Sequence, residues 1–219
     1  MRTTIQRVPA TVTIILATTL LWLLAALQAR GISGTAWSPL GESTLLWGPA
    51  VLHDATGPLR GITALFMHVD IQHLLLNMVM LWFVGGATEI AFGSARFLAL
   101  YLAGGLASSA AILYFQPLTP TLGASGAIFA LMAILIVIYH QKGLSLATPL
   151  TLLGINVVGT FLVSSISVAG HLGGLAGGAI IAGLYIQLSG NPRFLRALPW
   201  AMLGLFAVVY GIVVLTLAV

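Results

Sequence analysis

Apolar residues fall into seven long blocks, at approximately 9–29, 71–91, 96–115, 125–141, 148–166, 170–189 and 197–218. Each is close to the roughly 20 residues that a helix needs to cross the hydrocarbon core of a bilayer. No period-2 alternation with regular turns runs through them, so helices and not barrel strands are the expected spanning elements. The connections are short except for Arg30 to Asp70, a stretch rich in Gly, Ser, Thr and Pro. The first block follows Arg2 and Arg7 like a secretory leader. It is longer than the roughly 7–15 apolar residues of such a leader and ends in no A-x-A site, so it reads as a retained span.

Composition strengthens the pattern. Hydrophobic residues make up 59% of the 219 positions and charged residues 5%, with a mean hydropathy of +1.10. The expectation is one all-α polytopic membrane domain over residues 1–219, with the lipid bilayer as its surroundings. The net charge of +4 comes from dispersed residues and not from a basic tract, which argues against a nucleic-acid partner. Cysteine is absent, so disulfides, thiol catalysis and cysteine-bound metals are excluded.

Charge also sets an orientation. With a cytoplasmic N-terminus, Arg2, Arg7, Arg96, Lys142, Arg193 and Arg196 lie inside, six of the eight positive residues. Arg30 and Arg60 lie outside, as does the C-terminus after a seventh span, in line with the positive-inside tendency. The expected location is a bacterial inner membrane.

This orientation brings chemistry-bearing residues to one depth. Ser125, in Gly123-Ala124-Ser125-Gly126-Ala127, opens the fourth span, and His171, in Gly170-His171-Leu172-Gly173-Gly174, opens the sixth. His73 and Asn77 open the second, and all three spans start at the outer face. A serine hydroxyl is a poor nucleophile until a base takes its proton, and histidine has a pKa suited to that task. The only acids are Glu42, Asp54, Asp70 and Glu89, none close in sequence to either residue, so a Ser125–His171 dyad is expected and not a triad. His73 and Asn77, at i and i+4, share a helix face. Both can donate to an oxyanion, beside the Ser125 N–H at a helix start. Gly174 and Gly178 form a small-xxx-small pair that lets the sixth helix approach the fourth.

Taken one at a time, these residues have plainer explanations. A membrane serine commonly bonds its own helix carbonyl, Asn77 can serve as interhelical glue, and a glycine-rich helix can simply pack. His68 reads as a loop residue bonded to backbone, and His53 and His140 as loop or interface residues. Joint placement is what favours the hydrolytic reading.

Assembled, these residues resemble the rhomboid family of intramembrane serine proteases over roughly Leu59 to Leu188. The resemblance rests on the Gly-x-Ser-Gly string at Gly123–Gly126, on His171 with Gly174 and Gly178, on the His73/Asn77 pair, and on Arg60 and Glu89. It implies a six-helix core at about 9–189 plus a seventh transmembrane helix at about 197–218. Ser125 would be the nucleophile and His171 the general base, then acid. His73, Asn77, Gly123 and the Ser125 amide would form the oxyanion site, with Gly126, Gly174 and Gly178 as structural support. The long first loop would form a partly embedded element braced by Arg60 and Glu89. The fifth helix and the loop Ser164–Gly170 would be the gate and cap. Substrates would be single-pass membrane proteins, and no metal or cofactor is implied. Family members often carry a tyrosine where this chain has Phe129, which can still stack beneath the histidine ring.

Two other functions compete. A catalytically silent rhomboid-like protein would bind or escort transmembrane helices, but such proteins typically lose the serine or histidine. A transporter would call for paired intramembrane charges or repeated broken helices, and neither pattern occurs here. A soluble hydrolase elbow is excluded because position 127 is alanine.

Overall fold

The computed structural model describes residues 7–163 and 166–217. Its long helices are α1 (Pro9–Ala29), α2 (Ile71–Phe92), α3 (Ser94–Phe115), α4 (Ser125–Gln141), α5 (Ala147–Leu162), α6 (Val168–Gln187) and α7 (Pro192–Leu217). Among the described residues, α1, α2, α3, α6 and α7 are long and apolar enough to cross a membrane, while α4 and α5 are shorter, at 17 and 16 residues. The fold is all-α.

The expected blocks and the helices agree at most ends, and the exceptions have local causes. α7 starts at Pro192, five residues earlier than the apolar run suggests. Proline suits the first turn of a helix because its missing N–H has no intrahelical partner there, while Arg193 and Arg196 mask that turn in a hydropathy profile. α5 stops at Leu162, where Val163 turns extended. Part of the expected cap, Ser164 and Ser165, lies outside the described residues. Within α2, Leu81–Gly85 winds as a π-helix, an irregularity no periodicity in the sequence announces.

α4 is the axis of the molecule. It is apolar on every side, the signature of a helix enclosed by others, and every residue from Gly126 to Leu135 is buried. α3 and α6 pack against it. Glycine makes the α4–α6 contact one of backbone on backbone. A Cβ on Gly174 would lie 2.0 Å from the Gly126 carbonyl oxygen, and one on Gly178 2.3 Å from that of Ala130. These glycines are four apart and so share one face of α6. By contrast, α5 contributes only Pro149 and Thr160 to the buried set.

The long first connection folds into three short helices, Pro39–Thr44, Gly48–His53 and Arg60–Thr63, with 3-10 turns at Thr35–Trp37, Gly57–Leu59 and Ala64–Phe66. Arg60 organises them from a buried position, 6% exposed. One guanidinium nitrogen donates to the carbonyls of Glu42 (2.6 Å) and Leu45 (2.8 Å), and the other pairs with Asp54. The loop is then latched to the helices. Ser109 on α3 donates to the Gly61 carbonyl (2.8 Å), and the Gly61 N–H donates to the Tyr210 hydroxyl on α7 (3.1 Å). Leu46 and Thr121 exchange backbone hydrogen bonds of 2.9 Å, joining the loop to the segment that leads into Ser125.

Glu89 has a different role from the one expected. Among the described residues it bonds none of this loop. Its buried carboxylate accepts from the Ala10 and Thr11 N–H groups (2.9 and 2.7 Å) and from the Ser94 hydroxyl (2.6 Å). α1 has no cap from its own preceding side chain. The first N–H groups of a helix lack intrahelical partners and favour a negative charge, so Glu89 caps α1 from the end of α2.

Candidate active site

Ser125 is the first residue of α4, preceded by an N-cap alanine that supplies no side-chain bond. Among the described residues no side chain caps the opening N–H groups of the helix, that of Ser125 included, which leaves them as donors. Ahead of it, Gly123 adopts φ +131° and its N–H donates to the Ala64 carbonyl (2.9 Å). Glycine is required there by conformation and by space, because a Cβ would stand 2.7 Å from Cε1 and 2.9 Å from Nε2 of His73. The His73 ring thus lies against the backbone two residues before Ser125.

His171 sits in the first turn of α6, which begins at a capped terminus. Ser167 accepts from the Gly170 N–H (3.1 Å) and donates to the Gln116 side chain (3.1 Å). The imidazole is buried, 9% exposed, and stacks on Phe129, with ring centroids 4.2 Å apart and 25° between planes. Its Nδ1 lies 2.7 Å from the Thr160 hydroxyl on α5. Ser125 and His171 line one cavity of about 20 Å³ together with Gly123 and Ser167, room for about one water molecule. Among the described residues no hydrogen bond joins the serine hydroxyl to the imidazole. Catalytic hydrogen bonds are often loose before substrate binds.

The expected oxyanion donors divide. His73 is held at the start of α2 by Asp70, which accepts from its N–H at 2.7 Å. Asn77 is buried, and its side-chain amide donates to the His73 carbonyl one turn back (2.9 Å). That uses one of its two N–H donors and leaves the other. Neither His73 nor Asn77 lines the cavity that Ser125 and His171 share.

His68 is the loop residue bonded to backbone that its sequence position suggests, and it is packed into the interior as well. It is fully buried, packs edge-on against His73 at 4.9 Å, and accepts from the Ala124 N–H at 3.4 Å. Burial, and then the neighbouring His73, push its imidazole well below the ordinary histidine range. It is therefore neutral, the form that can accept from an N–H. Its own carbonyl takes the Thr35 hydroxyl at 2.5 Å. The sequence marks His68 as chemistry-bearing but says nothing of a partner 56 residues away. Thr160 carried no signal at all, being one of three threonines in an apolar helix.

Comparison with known proteins places this architecture. The Rhomboid domain profile matches residues 56–188, more than half of the chain. The chain belongs to the rhomboid family. Among its relatives, the rhomboid protease GluP of Bacillus subtilis is 41% identical over 128 residues, covering 56% of this chain and 25% of GluP. The putative rhomboid protease YdcA of the same organism is 29% identical over 197 residues, covering 85% of this chain and 93% of that protein. The mitochondrial RHOMBOID-like protein 12 of Arabidopsis thaliana is 35% identical over 147 residues, covering 54% of this chain and 44% of that protein. This rhomboid spans a quarter of the length of GluP and under half of the plant protein. Its apolar helices and its relatives make it a multi-pass integral membrane protein. They support intramembrane proteolysis at the level of the family.

Proposed function

We propose that this rhomboid is a serine endopeptidase that cleaves transmembrane segments of membrane proteins with a Ser125–His171 dyad. The observation that carries the reading is the shared cavity, where a serine on an uncapped helix start and a buried, ring-stacked histidine face the same small space. Nε2 of His171 takes the Ser125 proton as the hydroxyl oxygen attacks the substrate carbonyl carbon. The developing oxyanion is met by the Ser125 N–H and by the side chains of His73 and Asn77, each donor worth about 2.7–4 kcal/mol in such sites. His171 then protonates the departing amine. Water next deacylates Ser125, with His171 again as base.

Substrates in this reading are single-pass membrane proteins that enter sideways from lipid past α5, the helix with the fewest buried residues for its length beside the site. The N-terminus faces the cytoplasm and the site opens to the outer side, the orientation that the arginines and the lysine favour. Arg60, Gly126, Phe129, Gly174 and Gly178 support the site without joining the chemistry.

A silent rhomboid that binds or escorts transmembrane helices is the second reading. Fluorophosphonate labelling of the purified protein in detergent separates the two. Wild type is expected to label, and Ser125→Ala and His171→Ala, verified as folded, are expected not to. Folded wild type that stays unlabelled beside a labelled active rhomboid would overturn the protease reading in favour of the silent one.

A further inference from the structure

The position of a single hydroxyl proton assigns a role to Thr160. Its oxygen lies 2.8 Å from the Asn156 carbonyl and 2.7 Å from His171 Nδ1. The contact with His171 is buried and that with Asn156 partly so, with Thr160 itself only 2% exposed. A threonine hydroxyl has one proton and two lone pairs, whereas a carbonyl oxygen can only accept. The proton therefore belongs on the Asn156 side, and the lone pair facing His171 requires Nδ1 to carry a proton. A neutral imidazole has one N–H, so Nε2 is left bare.

We infer that Thr160 is a positioning residue that holds His171 as the Nδ1–H tautomer with Nε2 ready to accept the proton of Ser125. In a serine triad that task falls to a carboxylate. Here the only side-chain hydrogen-bond partner of His171 among the described residues is the Thr160 hydroxyl. Phe129 fixes the plane of the ring by stacking, and Thr160 fixes its rotation within that plane. When His171 becomes an imidazolium, the Nδ1–H···O bond becomes charge-assisted and strengthens, so the interaction favours the charged intermediate. The inference rests on the proposed Ser125–His171 chemistry.

Two variants and one spectrum test it. Thr160→Val keeps the shape and removes the oxygen, while Thr160→Ser restores it. Cleavage of a reconstituted transmembrane substrate is expected to show kcat lowered roughly tenfold to a hundredfold in Thr160→Val, the scale of a misaligned catalytic group. KM is expected to hold and Thr160→Ser to return most of kcat. Nitrogen-15 spectra of histidine-labelled wild type, with His171 in its neutral form, are expected to show the proton on Nδ1. Wild type that cleaves with its proton on Nε2, or a folded Thr160→Val with wild-type kcat, would overturn the inference and leave the protease reading intact. Wild type that neither labels nor cleaves would instead remove the reading beneath it. Should Thr160→Val fail to fold, the wild-type tautomer and the Thr160→Ser rate decide the question.

Discussion

Replacing Gly174 by alanine tests whether the α4–α6 backbone contact is what brings His171 and Ser125 together. The added Cβ would stand 2.0 Å from the Gly126 carbonyl oxygen, 2.7 Å from its carbonyl carbon and 3.1 Å from its Cα, where ordinary contact begins near 3.4 Å. All three atoms are backbone, so no side-chain rotation relieves the clash. α6 must withdraw from α4 by roughly an ångström. Overpacking of this kind costs about 1–3 kcal/mol of stability. The consequence for chemistry is larger, because His171 sits one turn before Gly174 on the helix that moves and Ser125 sits beside Gly126 on the helix that stays. A misplacement of about 1 Å typically lowers a rate about a hundredfold. Gly183→Ala is the matched control, since a Cβ there meets nothing within 4 Å and the helix is the same. Thermal unfolding in detergent and cleavage kinetics should both separate the two variants. A Gly174→Ala protein as stable and as fast as Gly183→Ala would refute the reasoning.

Three further outcomes are expected. Glu89→Ala strips the partner from two N–H groups of α1 and from Ser94, so thermal unfolding should register a loss of about 3–5 kcal/mol. Glu89→Gln should recover part of it, and an Ala variant as stable as wild type would remove the capping role. Tyr210→Phe keeps the ring packed on Gly61 and removes only the acceptor at 3.1 Å. It should cost about 0.5–1.5 kcal/mol in the same assay, and no measurable loss would show that the latch is ring packing alone. A disulfide between cysteines engineered into α2 and α5, feasible without background because the chain has none, should block cleavage of membrane substrates while fluorophosphonate labelling persists. Undiminished cleavage by a verified cross-linked sample would exclude α5 as the gate.

The helices and the meeting of Ser125 with His171 at helix starts were legible because both signals are local. Apolar runs announce spans, and strings such as Gly-Ala-Ser-Gly stand out within them. The Phe129–His171 stack was anticipated through the family resemblance, which sets an aromatic ring beneath the histidine. What escaped were partnerships set by tertiary distance. The carboxylate of Glu89 finds N–H groups 79 and 78 residues away, and nothing near Pro9 advertises an uncapped helix in need of it. Thr160 bonds a carbonyl four residues back, as threonines in apolar helices commonly do, and this ordinary habit hides its contact with His171. The short helices of the first loop were illegible for another reason. At six residues or fewer they are too short to display a period, and their order comes from Arg60 and the latches, not from propensity.

The bond from Gly61 to Tyr210 spans 149 residues, and that separation has a bearing on how the molecule is made. Translation at about 5–20 residues per second puts roughly 7–30 seconds between the emergence of the two partners. Ser125 and His171 are both synthesised within that interval. The first loop, which reaches the Ser125 segment through Leu46 and Thr121, therefore gains its final fastening only when α7 arrives. The nascent chain therefore holds Ser125 and His171 for roughly 2–8 seconds, the time needed to reach Tyr210, before the surrounding frame is closed.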